Sequence, residues 1–224
     1  MYVLYEAYYA GASKDIFMRD LSSKTHAVIL RNQAGQLGGF STLQLINSLH
    51  TSQRPARFIY SGDTIIDKAY WGRNDFAQVW LRLVGQIKSQ FPDSPLYWLL
   101  IVKGHRTYRY LSLFAQTYYP NPDMPIPADM QALLDEVATQ KFGDYYHPDK
   151  GLVLFPEPRS YLREEIAAIP SKDKARSEVR FFLEANPGYA AGDELVCICE
   201  LSAPNLTRLS RVWFVEGMTD VCAV

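Results

Sequence analysis

The chain has 224 residues, 48% hydrophobic, 21% charged and 13% aromatic, which is too apolar for intrinsic disorder and ordinary for a folded domain. Lys and Arg number 23 against 24 Asp and Glu, so no overall basic field draws the chain to nucleic acid. The longest charge-free stretch, residues 32–53, is broken by Gln, Asn, Ser, Thr and three Gly, and no membrane span is expected from it.

The first six residues show no basic region leading into an apolar one, so no signal peptide is expected. Three cysteines, Cys197, Cys199 and Cys222, lack metal-ligand spacing; the expectation is a reducing cytoplasm and no metal site. Tyrosine is the unusual count, 15 against 11 Phe and 4 Trp. An apolar ring with a polar tip suits the half-wet wall of a cleft or an interface, and the count does not choose between them.

In chain order, residues 1–24 read as one or two short helices, with Phe17 and Leu21 at i, i+4 spacing and Ser13 as an N-cap. Two apolar runs, 26–31 and 36–46, flank a short loop containing Gly35 and predict a β-hairpin. Gly38 and Gly39 inside the second run point to a bulge or a close backbone approach. A loop over 51–55 leads to a third strand, 57–66, whose middle, Ser61-Gly62-Asp63, is unexpectedly polar.

Residues 74–91 predict the clearest helix. Phe76, Val79, Trp80, Leu83, Val84, Ile87 and Phe91 make one apolar stripe, with Asn74 or Asp75 as cap and Pro92 as stop. The uninterrupted apolar run 96–102 suits a strand buried on both faces and parallel to its predecessor, which completes a right-handed βαβ unit. A second helix follows Lys103-Gly104, carrying Tyr108, Leu111 and Phe114 on one side, and a third opens at Pro127. Residues 142–177 weaken into loops marked by proline, and the last clear element is a strand over 194–201. The expected fold is therefore α/β, a mixed antiparallel and parallel sheet flanked by helices in a single domain over 1–224. Its core spans 1–120, and a helical, loop-rich insertion precedes the C-terminal strand in the remainder, 121–224.

The segment from Ile66 to Phe76 joins a strand to the start of the strongest helix. A helix N-terminus offers free N–H groups and a positive dipole end to an anion, and a capped surface turn would look the same. Gly72 lets the backbone approach closely, while Lys68 and Arg73 add charge. Within this segment the chain resembles the GCN5-related N-acetyltransferase (GNAT) superfamily. Ile66 falls on the apolar position of that family's acyl-CoA loop, Tyr70 on its aromatic and Gly72 on its first glycine. Trp71 stands where the family prefers Arg or Gln, and Asn74 and Phe76 replace later small residues. The element order over residues 1–119, about half of the chain, follows the family as well.

The resemblance implies an acyltransferase that moves an acyl group from an acyl-CoA or acyl carrier protein thioester to a small-molecule or peptide amine. The donor arm would lie between two splayed strands, held by Ile66, Lys68, Tyr70, Gly72, Arg73, Asn74 and Lys103. The family's base on the first strand maps to Asp63, where a carboxylate replaces an expected apolar residue and desolvation would raise its pKa. The acid role falls to Tyr110, off the apolar stripe of its helix, with His105 as competitor. The apolar and aromatic content suits a fatty acyl donor as well as an ordinary core. Two alternatives stay open: a non-catalytic module binding a protein or ligand through a Tyr-rich surface, and a thioesterase-like hydrolase using Ser61.

Overall fold

The computed structural model describes residues 1–47, 56–156 and 159–220. The expected loop over 51–55 and Cys222 lie outside them.

The chain opens with α1 (Tyr2–Tyr8), the two-residue strand β1 (Tyr9–Ala10) and α2 (Lys14–Ser22). Ser13 caps α2, its hydroxyl accepting from the Ile16 amide at 3.4 Å. Then come β2 (His26–Arg31), β3 (Leu37–Asn47) and β4 (Arg57–Ile66), the helix α3 (Asp75–Ser89), β5 (Leu96–Val102) and α4 (His105–Phe114). The insertion holds α5 (Ala128–Phe142), β6 (Tyr146–His147), β7 (Leu152–Val153), β8 (Tyr161–Leu162), α6 (Glu164–Ala167), α7 (Ser171–Lys174) and α8 (Ser177–Ala185). The chain then forms β9 (Glu194–Glu200) and α9 (Arg208–Thr219).

Seven strands form one mixed sheet in the order β2-β3-β4-β5-β9-β7-β6, and β1 pairs with β8 apart from it. The β4–β5 pair is parallel, as the buried apolar run predicts, and every other pair in the sheet is antiparallel. One face packs under α3, α4, α8 and α9, where Trp80, Trp98, Leu111, Phe182 and Phe214 make a continuous core. The other face packs under α5, through Leu134, Val137 and Phe142, and under α1 and α2, through Tyr5 and Phe17.

Three expectations are corrected. Residues 142–177 are not only surface loops, because β6 and β7 extend the main sheet by two short strands. The strand at 194–200 is not the last element, since α9 follows and packs on α3. A Cβ on Gly85 of α3 would stand 2.1 Å from the Phe214 carbonyl oxygen, and one on Gly217 of α9 would stand 2.0 Å from that of Arg82. The two backbones thus approach closely through paired glycines. Asn74 occupies the N-cap position of α3, yet its side chain makes no capping hydrogen bond.

Candidate functional site

The β4–β5 pairing runs from Arg57↔Leu96 to Ser61↔Leu100 and stops. Beyond it β4 continues to Ile66 paired with β3 alone, while Ile101 and Val102 of β5 pair only with β9. The sheet divides there into two half-sheets, and the gap opens into a cavity of about 530 Å³. Trp98 ties the apex: its indole N–H donates to the Ser61 hydroxyl at 2.7 Å across the last paired residues. A net contribution of ~1 kcal/mol is typical of such a bond, and stranding the buried donor costs more.

A β-bulge decides what β4 presents to each side of this gap. Ser41 pairs with Thr64 and Leu43 with Ser61, so Gly62 and Asp63 together oppose Thr42. Before the bulge, Ile59 and Ser61 face α3 while Phe58 and Tyr60 face the opposite side. After it, Ile65 joins Phe40, Tyr5 and Phe17 on the side of Tyr60. Asp63, two residues before Ile65, shares that side; without the extra residue it would point toward α3. Gly62 has a steric reason as well, since a Cβ there would lie 2.8 Å from the Lys24 ammonium and from the Thr42 hydroxyl.

The cavity therefore has two chambers. On the α3/α4 side it is walled by Phe76, Trp80, Trp98, Phe114 and Tyr110. Trp80 and Trp98 lie with ring centroids 4.7 Å apart, and Trp98 stacks on Phe114 at 5.7 Å. Burial raises the Tyr110 phenol above its ordinary range, and its hydroxyl has no hydrogen-bond partner among the described residues. On the α1/α2 side the walls are Tyr5, Tyr9 and Tyr60 with Asp20, Lys103 and Glu194. The insertion closes this chamber with Phe155, Arg159 and Ser160, held against the N-terminal segment by the β1–β8 pair.

The charges of this chamber are matched, apart from one carboxylate within it. Lys103 pairs with Glu194 at 3.1 Å and donates to Ser160 at 3.1 Å. Lys24, almost wholly buried, pairs with Asp20 at 2.8 Å and lies over the Tyr60 ring. Arg159 pairs with Asp193 at 2.8 Å. Asp63 has neither hydrogen bond nor ion pair among the described residues. Desolvation first, then Asp20 and Glu194, push its carboxyl up to about 7 against the pull of Lys103 and Lys24.

The expected site residues divide accordingly. Asp63, Tyr110, Ser61 and Lys103 line the cavity, with Asp63 and Tyr110 on opposite sides of the gap. Among the described residues Ser61 has no His or carboxylate bonded to it, so none of them is placed to deprotonate it. His105 is buried outside the lining, its Nε2 without a partner, and burial holds its imidazole down to about 4. Lys103 is committed to Glu194.

Ile66, Lys68, Tyr70, Gly72, Arg73 and Asn74 do not line the cavity. Their loop folds back on β3 and α1. The Asp67 amide donates to the Gly38 carbonyl and the Lys68 amide to the Tyr8 hydroxyl, both at 2.8 Å, and the Tyr70 ring packs on Gly38. Trp71 donates to the Ile66 carbonyl at 2.7 Å, and Arg73 pairs with Asp75 at the surface. The cavity instead meets the first turn of α3 at Phe76 and Ala77.

Of the 15 tyrosines, only Tyr145 and Tyr161 are exposed, and five line the cavity. The excess is used on a cleft and a core. Sequence reasoning missed Tyr5, Tyr9, Asp20 and Glu194 as site residues; Glu194, an acid heading an apolar strand, was the readable signal. No metal-holding cluster of His, Cys, Asp and Glu occurs among the described residues, and none of their helices is long and apolar enough to cross a membrane.

No family model and no curated protein matches the chain. Among solved structures it is similar to a single-residue mutant and a tetramutant of the BH1408 protein from Bacillus halodurans, at 16% identity to each. The matches cover 52% and 51% of this chain and 74% and 75% of those chains, with TM-scores of 0.38 and 0.37. A likeness of that depth carries no argument about what this chain does.

Proposed function

We propose that this chain is a GNAT-like acyltransferase, moving an acyl group from a CoA or acyl carrier protein thioester to an amine. The observation that carries the reading is the split between β4 and β5, which holds a cavity with Asp63 on one side and Tyr110 on the other. Past Ser61 the β5-facing backbone groups of β4 have no strand partner. Buried backbone groups require partners, and an amide-bearing thioester arm supplies them. The aromatic chamber suits an acyl chain longer than acetyl, and a thioester pool of this kind belongs to the cytoplasmic setting the cysteine content implies.

In the reaction the neutral amine nitrogen attacks the thioester carbonyl carbon. The C–N bond forms, the C–S bond breaks, and the proton shed by nitrogen passes to Asp63. A carboxyl poised near 7 is half ionised at neutral pH, the state a general base needs. The departing thiolate takes the Tyr110 proton, and solvent carries the proton from Asp63 back to the phenolate, leaving amide and thiol. Backbone amides freed at the gap stabilise the oxyanion.

The test is thiol release from acetyl-CoA and octanoyl-CoA in the presence of a mixed amine panel, with mass detection of the amide. Release that depends on amine and falls sharply in Asp63→Asn supports the reading. No binding and no release with either donor overturns it.

A further inference from the structure

We propose that the α1/α2-side chamber takes a primary ammonium carried on an apolar or aromatic body, with no carboxylate beside the nitrogen. The inference rests on the acyltransferase reading above and names the class of its acceptor.

The argument begins with charge. Four side chains act electrostatically on Asp63: Asp20 and Glu194 repel a negative charge, Lys103 and Lys24 attract it. Both lysines already hold those same two carboxylates in ion pairs. These five charges are three carboxylates and two ammoniums, and Asp63 is the one left without a partner among the described residues; a third ammonium, Lys141, lies over the Tyr60 ring, bonded to Gln44, and does not line the cavity. An ammonium completes the set, and it sheds one proton through Asp63 to solvent before the neutral nitrogen attacks. An α-amino acid would bring a carboxylate next to its nitrogen, where Lys24 and Lys103 are already paired with Asp20 and Glu194. Like charges in a partly dry site repel. Of the cations lining the cavity, Arg159 is held by Asp193. Arg19 stands exposed on α2 and is not among the charges that act on Asp63.

The walls agree with the charge. Tyr5 and Tyr9 stack with centroids 4.6 Å apart, and Phe17 packs on Tyr5 at 5.1 Å. Tyr9 and Tyr60 are held neutral by burial, and their hydroxyls have no hydrogen-bond partner among the described residues. Electron-rich ring faces attract a cation, as Lys24 and Lys141 over Tyr60 already show. Ring edges pack an apolar body.

The experiment compares phenethylamine with phenylalanine, which share a body and differ by the carboxylate. Each is titrated calorimetrically into the full chain without donor. Phenethylamine is expected to bind at least ~10-fold tighter, and Asp63→Asn, a near-isosteric change, is expected to erase the preference. Phenylalanine binding as tightly, an unchanged preference in Asp63→Asn, or no binding of either amine at about 10 mM overturns the inference. A second arm adds acyl-CoA and reads thiol release. Release with phenylalanine but not phenethylamine overturns this inference and leaves the acyltransferase reading standing. Absence of release with every amine overturns that reading, while the donor-free titration still decides which ammonium the chamber takes.

Discussion

The two sides of the divided sheet differ through one three-residue window of β4, Ser61 to Asp63. Toward α3 and α4 the strand offers Ser61, fixed by the Trp98 indole, and the wall is aromatic. Toward α1 and α2 it offers Asp63, and the wall is a set of ion pairs and phenol rings. One inserted residue separates the two outcomes, because a bulge reverses which side chain faces which way. On the proposed acyltransferase reading, the apolar chamber is the one that excludes water from a thioester arm, and the charged one receives the amine. On that same proposal, the two chambers meet through a gap in the sheet with Asp63 as base and Tyr110 as acid on opposite faces of one reacting centre.

The sharpest way to break this contrast is Asp63→Asn. Turnover is expected to fall by ~10²- to 10⁴-fold, the range for loss of a general base, in steady-state thiol-release assays. The ratio of wild-type to Asp63→Asn kcat/KM, in which the amine's own titration cancels, should rise with pH through about 7 and then level, as Asp63 ionises among Asp20, Glu194, Lys103 and Lys24. Stability moves the other way. The folded carboxyl is raised above its ordinary 3.8, so the fold favours the protonated form and loses stability as pH climbs through about 7. Thermal melts should therefore place Asp63→Asn above the wild type at pH 8, with the gap closed near pH 4. A profile that falls through 7 would make Asp63 an acid.

The second contrast lies within α4. Tyr110 lines the cavity with an unpartnered hydroxyl, whereas Tyr108 is buried and donates to the Pro120 carbonyl at 2.9 Å. Tyr110→Phe is expected to lower kcat by ~10- to 100-fold with little change in donor affinity. Tyr108→Phe should leave kcat alone and cost ~1 kcal/mol of stability by urea titration. Equal kinetic losses at both positions would show that α4 packing, not the Tyr110 proton, sets the rate.

These positions also show what the sequence could and could not disclose. Asp63 was legible because a carboxylate interrupts an apolar strand, and Gly38 because a glycine pair interrupts another. The bulge at Gly38 is present between Leu30↔Gly39 and Arg31↔Leu37. The βαβ unit was legible because α3 carries an apolar stripe, though Val79 of it is exposed and Phe91 lies past the helix, and β5 is apolar on both faces. The charged chamber was not, because its members come from α1, β1, α2, β4, Lys103 just past β5, Phe155, Arg159, Ser160 and β9, and no local pattern links segments so far apart. The loop at 66–74 misled for a related reason. Its glycine and basic residues have the composition of an anion cradle, but Tyr8 and Gly38, distant in sequence, capture its backbone. The α9 helix stayed hidden because its tightest contact is made by Gly217 against α3, and glycine reads as a helix breaker.

The paired glycines of α3 and α9 give a prediction about scaffold alone. Gly85→Ala puts a methyl where the Phe214 carbonyl oxygen already stands, and the helices must separate. Overpacking of this kind costs ~1–3 kcal/mol, to be read as a lower urea midpoint. If both chambers belong to β4 and β5, the surviving folded fraction should keep its amine preference unchanged.

The smallest kinetic effect is expected at the apex. Ser61→Ala removes the acceptor of the Trp98 indole N–H, and a buried donor left without a partner costs ~1–3 kcal/mol. Turnover at a temperature well below the melt should change by less than about threefold, since no base contacts Ser61 and its hydroxyl is committed to the indole. Trp98→Phe, which deletes the donor instead, should lose similar stability without stranding a polar group on the β5 side. A drop beyond ~100-fold in Ser61→Ala alone would mean that the hydroxyl itself attacks the thioester. The two chambers would then serve hydrolysis, with water in the place assigned to the amine.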